Sequence, residues 1–473
     1  MAAKPGAEHP VTATTTETDS GSGSEDLASG IRHPVSGWVK VSLPVMAAAS
    51  LWLYRVLFHA LLPLAVPLLW LRDRVGGKSR PPLRARLVPE IPAIEPGGIW
   101  IQAVSVGEVE LGRRLVRELR DRQWEPPVVV SVTTATGLAL ARRTVTDAAT
   151  VTTCPLDLPG AVSRVFDLVR PQLLVLVETE LWPELMHQAS SRGIPVAVVN
   201  GRLSESSVNR YRRLGRIMAP LLEPLSLILV RDPSDAVRFA SLGIPEHRIQ
   251  VTGNIKYDLE PDPAPLPWGT RVRALAGGRP VLVAGSTMDG EESLVLDAVE
   301  AAGKRGPAPF VIMAPRHPER FASVAELLDR RGVEFVRRSE QMADTETADV
   351  FLLDTIGELA RAYQMGSLAF IGGSLVATGG HNPLEPAVWG IPVVSGCHVF
   401  NFQEVYDEMV AAGGARLAAD CAGLASAIAD WLADPASARA AGDAGRAVVE
   451  RNRGATARTV DALLALVDSG PSD

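Results

Sequence analysis

Two series of short apolar runs, each run separated from the next by a helical stretch, dominate this chain from about Gly98 onward and leave it few ways to fold. In the first series the predicted strands are residues 99–104, 128–133, 173–177, 196–199 and 227–230. Between the first two, Leu111, Leu115 and Leu119 recur at helical spacing among arginines, the pattern of an amphipathic crossover helix. A second series follows at 281–284, 310–313, 351–353, 368–371 and 393–394. Parallel strands need such crossovers, so the alternation predicts parallel sheets covered on both faces by helices. Between the two series, Pro261, Pro263, Pro265 and Pro267 form a stiff linker. The expected architecture is α/β: two doubly wound, Rossmann-like domains at residues 73–260 and 271–473, joined by a linker at 261–270. The last helix is placed to pack back on the first domain. An apolar fraction of 47% over 473 residues is enough for two cores of this kind.

The text before residue 73 has a different character. Residues 1–36 are rich in Ser, Thr, Gly, Ala and acids, with too little apolar surface to offset ordering entropy, and are predicted to be a disordered tail. Residues 37–72 are predicted to be a membrane anchor, because the apolar run at 41–71 exceeds the roughly 20 residues a spanning helix needs. Arg55 and His59 interrupt the run and must snorkel or face protein, while Pro63 and Pro67 should kink or break its second half. The anchor either spans the bilayer or lies in its interface; the plain alternative is a helix of the soluble body. Arg72, Arg74, Lys78, Arg80, Arg84 and Arg86 follow, against the single acid Asp73. That excess favours a body on the cytoplasmic side, next to the anionic inner leaflet. The net charge of −7 argues against a nucleic-acid partner. Cys154, Cys397 and Cys421 are far apart and lack metal-ligand spacing, so neither a disulfide framework nor a metal site is expected.

In doubly wound sheets, ligands bind outside the carboxyl ends of the strands, so chemistry should sit in strand-to-helix turns. In the first series three such turns stand out. Ser105, Val106, Gly107 and Glu108 follow the first strand, and Glu108 falls in the first helical turn at a cleft mouth. A carboxylate there is often only a partner of the helix dipole. Glu178, Thr179, Glu180, Leu181, Trp182 and Pro183 follow the third strand directly, and the run from Gly253 to Asp258 puts Lys256 just before the linker. A solvated surface lysine is the ordinary alternative for Lys256.

The most specific text is in the second series. Gly372-Gly373 and Gly379-Gly380 let backbone amides approach an anion, and a helix beginning near Asn382 would aim its positive end there. Glu385, in its first turn, suits ribose hydroxyls. Upstream, Arg316 supplies a cation for phosphate, and Asp354 to Leu359 end a further strand with a turn at Gly357. Each loop alone could be helix capping; together they predict a nucleotide site.

On these residues the chain resembles the Kdo (3-deoxy-D-manno-octulosonic acid) transferase family from about Leu51 to Gly454. The likeness is carried by AVSVGE ending at Glu108, ETELWP from Glu178, GRLSE from Gly201 and TGNIKYD ending at Asp258. In the second half it rests on PRHPERF from Pro315, DTIGEL from Asp354, GGHNPLEP from Gly379 and FNF from Phe400. The resemblance implies a GT-B fold and inverting transfer of Kdo from CMP-Kdo to a lipid A precursor in lipopolysaccharide synthesis, with no metal or other cofactor. It implies Glu108 as general base, with Glu178 and Lys256 as stabilisers of the transition state. It also implies that Pro315, Arg316, Ile356, Gly357, Glu358, Asn382, Pro383, Leu384 and Glu385 hold CMP-Kdo. The chain departs from the family pattern in the stretch Arg84 to Val88, at Gln102 where a histidine is usual, at Met288 and Asp289, and in the short loop Thr133 to Gly137. The competing readings are a GT-B transferase for another sugar nucleotide or lipid acceptor, and a non-catalytic membrane-bound paralogue.

Overall fold

The computed structural model describes residues 43–76, 83–340 and 347–469; the expected tail, Lys78 and Arg80 lie outside them. The first series of strands runs β1 (Ile99–Ala103), β2 (Val128–Val132), β3 (Thr150–Thr153), β4 (Leu173–Val177), β5 (Val196–Gly201), β6 (Leu225–Val230) and β7 (Ile249–Val251). They form one parallel sheet in the order β3-β2-β1-β4-β5-β6-β7. The second series runs β8 (Val281–Thr287), β9 (Phe310–Pro315), β10 (Phe335–Arg337), β11 (Val350–Leu352), β12 (Leu368–Ile371), β13 (Val393–Gly396) and β14 (Ala415–Ala418). Its sheet, also parallel throughout, has the order β10-β11-β9-β8-β12-β13-β14.

Both faces of each sheet are covered, and each domain therefore has two apolar clusters. This explains the unbroken apolar text of the inner strands: β4, Leu-Leu-Val-Leu-Val, is buried at every position. Four strands were not expected from the sequence: β3, β7, β10 and β14. All four are sheet edges, and their mixed texts (TVTT, IQV, FVR and ARLA) reflect partial cover.

The two sheets are stitched together past the linker. The helix Ala455–Asp468 packs against the helix Val106–Asp121, and its Ala455, Val460 and Leu463 belong to the core of the first domain. Asp258 accepts hydrogen bonds from the Gly454 amide at 2.6 Å and from Thr456 Oγ1 at 2.5 Å, fixing the point of return.

Ahead of the sheets lies one long helix, Leu43–Gly76, packed on the helices Pro183–Ser190 and Gly215–Leu222. It runs through Pro63 and Pro67 without a break; of the kink or break expected there, the break does not occur. Each proline removes one backbone donor, and the turns on either side, rich in leucine, carry on. Arg55 faces protein: its guanidinium forms a two-pronged ion pair with buried Glu184, at 2.7 and 2.9 Å. Among the described residues no helix is long and apolar enough to cross a membrane.

Candidate functional site

In the first sheet the chain moves outward from β1 to β2 and β3, then returns to place β4 on the other side of β1. The loops after β1 and β4 consequently diverge and leave a crevice at this switch point. Glu108 lies in the helix that follows β1, and Glu178 follows β4 directly.

Glu108 is the third residue of the helix Val106–Asp121 and reaches back to accept from the Val104 amide and, at 3.2 Å, from Ser105 Oγ. Its place in the first turn is that of a helix-dipole partner, as the plain reading of the sequence holds, yet the side chain is also buried. Burial pushes its pKa up to about 7; the Val104 and Ser105 hydrogen bonds oppose the rise, and the charges of Glu180 and Glu178 add to it. Glu180 is raised as well, chiefly by burial. Three carboxylates thus share one crevice, and one of them is poised to change protonation near neutral pH.

Glu178 is held between two cations. Arg202 lies 3.1 Å from its Oε2 and Lys256 Nζ lies 3.7 Å from its Oε1. Burial lowers the Lys256 pKa; Glu178 and Glu404 counteract this, while Arg202 and Arg231 reinforce it. The lysine also rests 5.1 Å over the ring of Phe402, a residue of the second domain. Beside them an open cavity of about 470 Å³ is lined by Glu178, Glu180, Arg202, Tyr211, Arg231 and Glu404, among others. Buried Arg231 bridges the domains, bonded to Asp235 at 2.9 Å and to Glu404 at 2.7 Å.

The second sheet repeats the switch: β8 is flanked by β9 and β12, and the loops after β8 and β12 border the crevice. Here backbone does most of the building. Buried Glu291 accepts from four amides, those of Met288 (2.9 Å), Gly373 (2.6 Å), Ser374 (2.9 Å) and Leu375 (2.8 Å). It pins the glycine loop to the loop after β8. Gly379 has φ +99°, and a Cβ there would come within 2.4 Å of Asn401 Nδ2, so no other residue fits. The helix expected near Asn382 is a single turn, Leu384–Ala387, which limits what its dipole contributes.

Around this loop stand Arg316, exposed at the end of β9, half-buried Glu385 and half-buried His381. Burial raises the Glu385 pKa, against the pull of Arg316, Asn382 and Arg114. Burial, together with Arg316 and His317, lowers His381 to about 4, so this imidazole is neutral at pH 7. Asn382 accepts from the Leu384 amide at 3.1 Å, and Pro383 and Leu384 are buried beneath it. Pro315 closes β9. The third loop is arranged otherwise than its sequence suggests. Glu358 accepts from Trp268 Nε1 at 2.9 Å, pairs with Arg338 at 3.1 Å and takes the Thr355 hydroxyl, so its carboxylate is already occupied. Ile356 is exposed and Gly357 has φ +94°, so this turn stays accessible although the carboxylate is engaged.

The most similar chains and structures fit this geometry. The family model for 3-deoxy-D-manno-octulosonic-acid transferase (kdotransferase) matches residues 71–259. A 3-deoxy-D-manno-octulosonic acid transferase of Haemophilus influenzae is 38% identical over 370 residues, covering 78% of this chain and 87% of its own. One of Bordetella pertussis is 34% identical over 427 residues, covering 87% of this chain and 98% of its own. The chain belongs to the 3-deoxy-D-manno-octulosonic acid transferase family. In fold it also resembles the UDP-GlcNAc 2-epimerase of Neisseria meningitidis, at 12% identity and TM-score 0.53, covering 78% of this chain and all of that one.

The departures from the transferase pattern are absorbed structurally. Gln102 is buried and bonded to Ser131 Oγ, which in turn accepts from Trp100 Nε1 at 2.7 Å. Met288 contributes only its amide to Glu291, and exposed Asp289 pairs with Arg320 at 3.1 Å. Glu180 was read from the sequence only as the second acid of its turn, and Arg202, Asn200, Arg114 and Glu291 were not singled out as site residues. Glu180 and Arg202 stand inside motifs that were read, ETELWP and GRLSE, so position in the motif was the available signal. Arg114 is one arginine among several in an amphipathic helix and gave none.

Proposed function

We propose that this chain transfers Kdo from CMP-Kdo to the hydroxyl of a lipid A precursor, with inversion at the anomeric carbon. The observation that carries the reading is a buried carboxylate, Glu108, raised to about 7 at the switch point of one sheet, with a glycine loop pinned by Glu291 beside Arg316 at the switch point of the other. In this mechanism Glu108 takes the proton of the acceptor hydroxyl as its oxygen attacks the anomeric carbon. Positive charge develops on the sugar ring and negative charge on the departing phosphate. Glu178 and Lys256 stabilise the transition state as a pair, while Arg316, beside the glycine loop, receives the phosphate. Glu385 takes the ribose hydroxyls, and the Ile356–Gly357 backbone closes the nucleotide side. A non-catalytic scaffold is disfavoured, since it has no use for three carboxylates crowded into one crevice. The test is incubation with CMP-Kdo and a lipid A precursor, followed by mass spectrometry of the lipid. The expected result is a glycolipid heavier by Kdo; CMP release without it points to another acceptor, and no release to a scaffold.

We further infer that the Leu43–Gly76 helix docks on the cytoplasmic face of the inner membrane, lying in the interface. Tyr54 and Arg55 tie the helix to Asp157 and Glu184, while Trp52, Leu57, Leu61 and Leu64 are at least half exposed. Exposed apolar side chains of this size and number need a partner, and acyl chains suit them. The full chain is expected to float with vesicles containing anionic lipid at low salt. Leu57→Glu combined with Leu61→Glu should abolish flotation. A wild-type chain that stays free defeats the reading.

A further inference from the structure

The Ile255 peptide, which immediately precedes Lys256, is gripped on both of its polar atoms. Its amide donates to Asn200 Oδ1 at 2.9 Å, and its carbonyl accepts from an Arg114 guanidinium nitrogen at 2.5 Å. Asn254 completes the fixation by accepting from the Lys256 amide at 3.1 Å, which starts the 3₁₀ turn Ile255–Tyr257. A lysine side chain has many rotamers, so its head is only as well placed as the backbone that carries it.

Asn200 is the informative member of this set. It is fully buried near the end of β5 and takes φ +53°, a left-handed conformation that asparagine adopts more readily than most non-glycine residues. Strain of this kind persists where the surroundings hold it. On one side of Asn200, the Val199 carbonyl accepts from the Glu178 amide at 2.9 Å; two residues beyond it, Arg202 pairs with Glu178 at 3.1 Å. Its own side chain holds the turn of Lys256. One strand end therefore references both partners of the Glu178–Lys256 pair to each other.

We propose that Asn200 is a positioning residue of the catalytic centre, setting Lys256 against Glu178 by holding the Ile255 amide. This rests on the reading of Lys256 as a transition-state stabiliser. The amide nitrogen of Asn200 is buried without a hydrogen-bond partner among the described residues, so the oxygen alone carries the contact.

The test is a double-mutant cycle on the full chain, reading CMP release from CMP-Kdo in the presence of a lipid A precursor. Asn200→Gly removes the acceptor and accepts the left-handed backbone without penalty. It should lower kcat about 10–100-fold, as misplacement of a catalytic group does, with KM for CMP-Kdo and the Kd for CMP within about twofold. In a Lys256→Ala background the same change should cost less than about twofold, because it acts through the missing lysine. Arg114→Met, which frees the carbonyl side, should show the same dependence on Lys256 and decides the matter if Asn200→Gly does not fold. A kcat for Asn200→Gly within threefold of wild type overturns the proposal. So does a loss that persists undiminished without Lys256, which would make Asn200 a general structural residue. If Lys256→Ala itself leaves kcat unchanged, the catalytic reading of Lys256 fails, and this inference with it.

Discussion

The two switch points of this molecule are built on the same topology and furnished in opposite ways. At the edge of the first sheet stand ionisable side chains, Glu108, Glu178, Glu180 and Lys256, with burial or neighbouring charge acting on each. At the edge of the second sheet the construction is mostly backbone, and the deepest carboxylate, Glu291, faces inward to hold the loop by its amides. The difference separates two tasks. A proton transfer needs a group whose protonation is tuned, whereas binding a nucleotide phosphate needs dipoles that are fixed beforehand. The same substitution, Glu to Gln, can then be applied on both edges, and the responses should rank in a definite order.

The largest response is expected at Glu108. Glu108→Gln keeps the volume and one acceptor for the Val104 amide but removes the proton acceptor, so kcat should fall by about 10²-fold or more, in line with general-base contributions. The wild-type rate should rise with pH through about 7, because the base works ionised and burial has raised its pKa to that value. Stability runs the other way. The folded-state pKa lies above the usual carboxylate value, so the native state binds more protons between about 4.5 and 7, and Glu108 costs stability as pH rises through that window. At pH 8 the Gln variant should therefore melt higher than wild type, each pKa unit being worth ~1.4 kcal/mol. For a helix-dipole partner the substitution would do the opposite, lowering stability by about 0.3–1 kcal/mol, and with it the melting temperature, while sparing kcat. An unchanged rate with a lower Tm would remove Glu108 from the chemistry.

The middle response is expected at Glu291. Each of its oxygens receives two amides, Ser374 and Leu375 on one and Gly373 and Met288 on the other. Whichever way a Gln is turned, its NH₂ confronts two donors. Losing such charge-assisted bonds in a buried site costs on the order of 3 kcal/mol. The glycine loop loosens, so calorimetry should show CMP binding weakened about 10- to 30-fold, with a lower melting temperature. Unchanged CMP affinity would mean that the glycine loop is not the phosphate site.

How far the sequence exposes this arrangement depends on where the residues lie. Inner strands such as β1 and β4 are buried on both faces and read as unbroken apolar runs, so both sheets were legible. The edges β3, β7, β10 and β14 are covered on fewer sides, keep polar residues and were missed. The positions of Glu108, Glu178 and Lys256 stood out because they end strands or motifs. The groups that hold them did not, since their roles exist only after folding. Arg114 is 141 positions from Ile255, and Glu291 is 82 from Gly373. No local pattern encodes pairings across such distances. The engagement of Glu358 was illegible for the same reason: its partners Trp268 and Arg338 lie on other elements.

The smallest response is expected at Glu358, and it tests the comparison most closely, because the family resemblance assigns this residue to CMP-Kdo binding. Burial raises its pKa, but hydrogen bonds from Thr355, Trp268 and Arg338 outweigh that and hold it below the ordinary carboxylate value. The carboxylate thus has its partners within the protein, and exposed Ile356 and Gly357 are the accessible part of the turn. Glu358→Gln keeps one oxygen for Trp268 and gives up a partly exposed pairing with Arg338, a loss of about 0.5–1 kcal/mol. CMP affinity should consequently stay within about threefold of wild type. Gly357→Ala touches no partner of the carboxylate but forces a side chain onto φ +94°, so it should weaken CMP binding more than Glu358→Gln does. If the ranking is reversed, with Glu358→Gln costing tenfold or more and Gly357→Ala little, the carboxylate itself meets the nucleotide. The second edge would then bind through charged side chains, as the first one does, and the division between tuned side chains and fixed amides would fail.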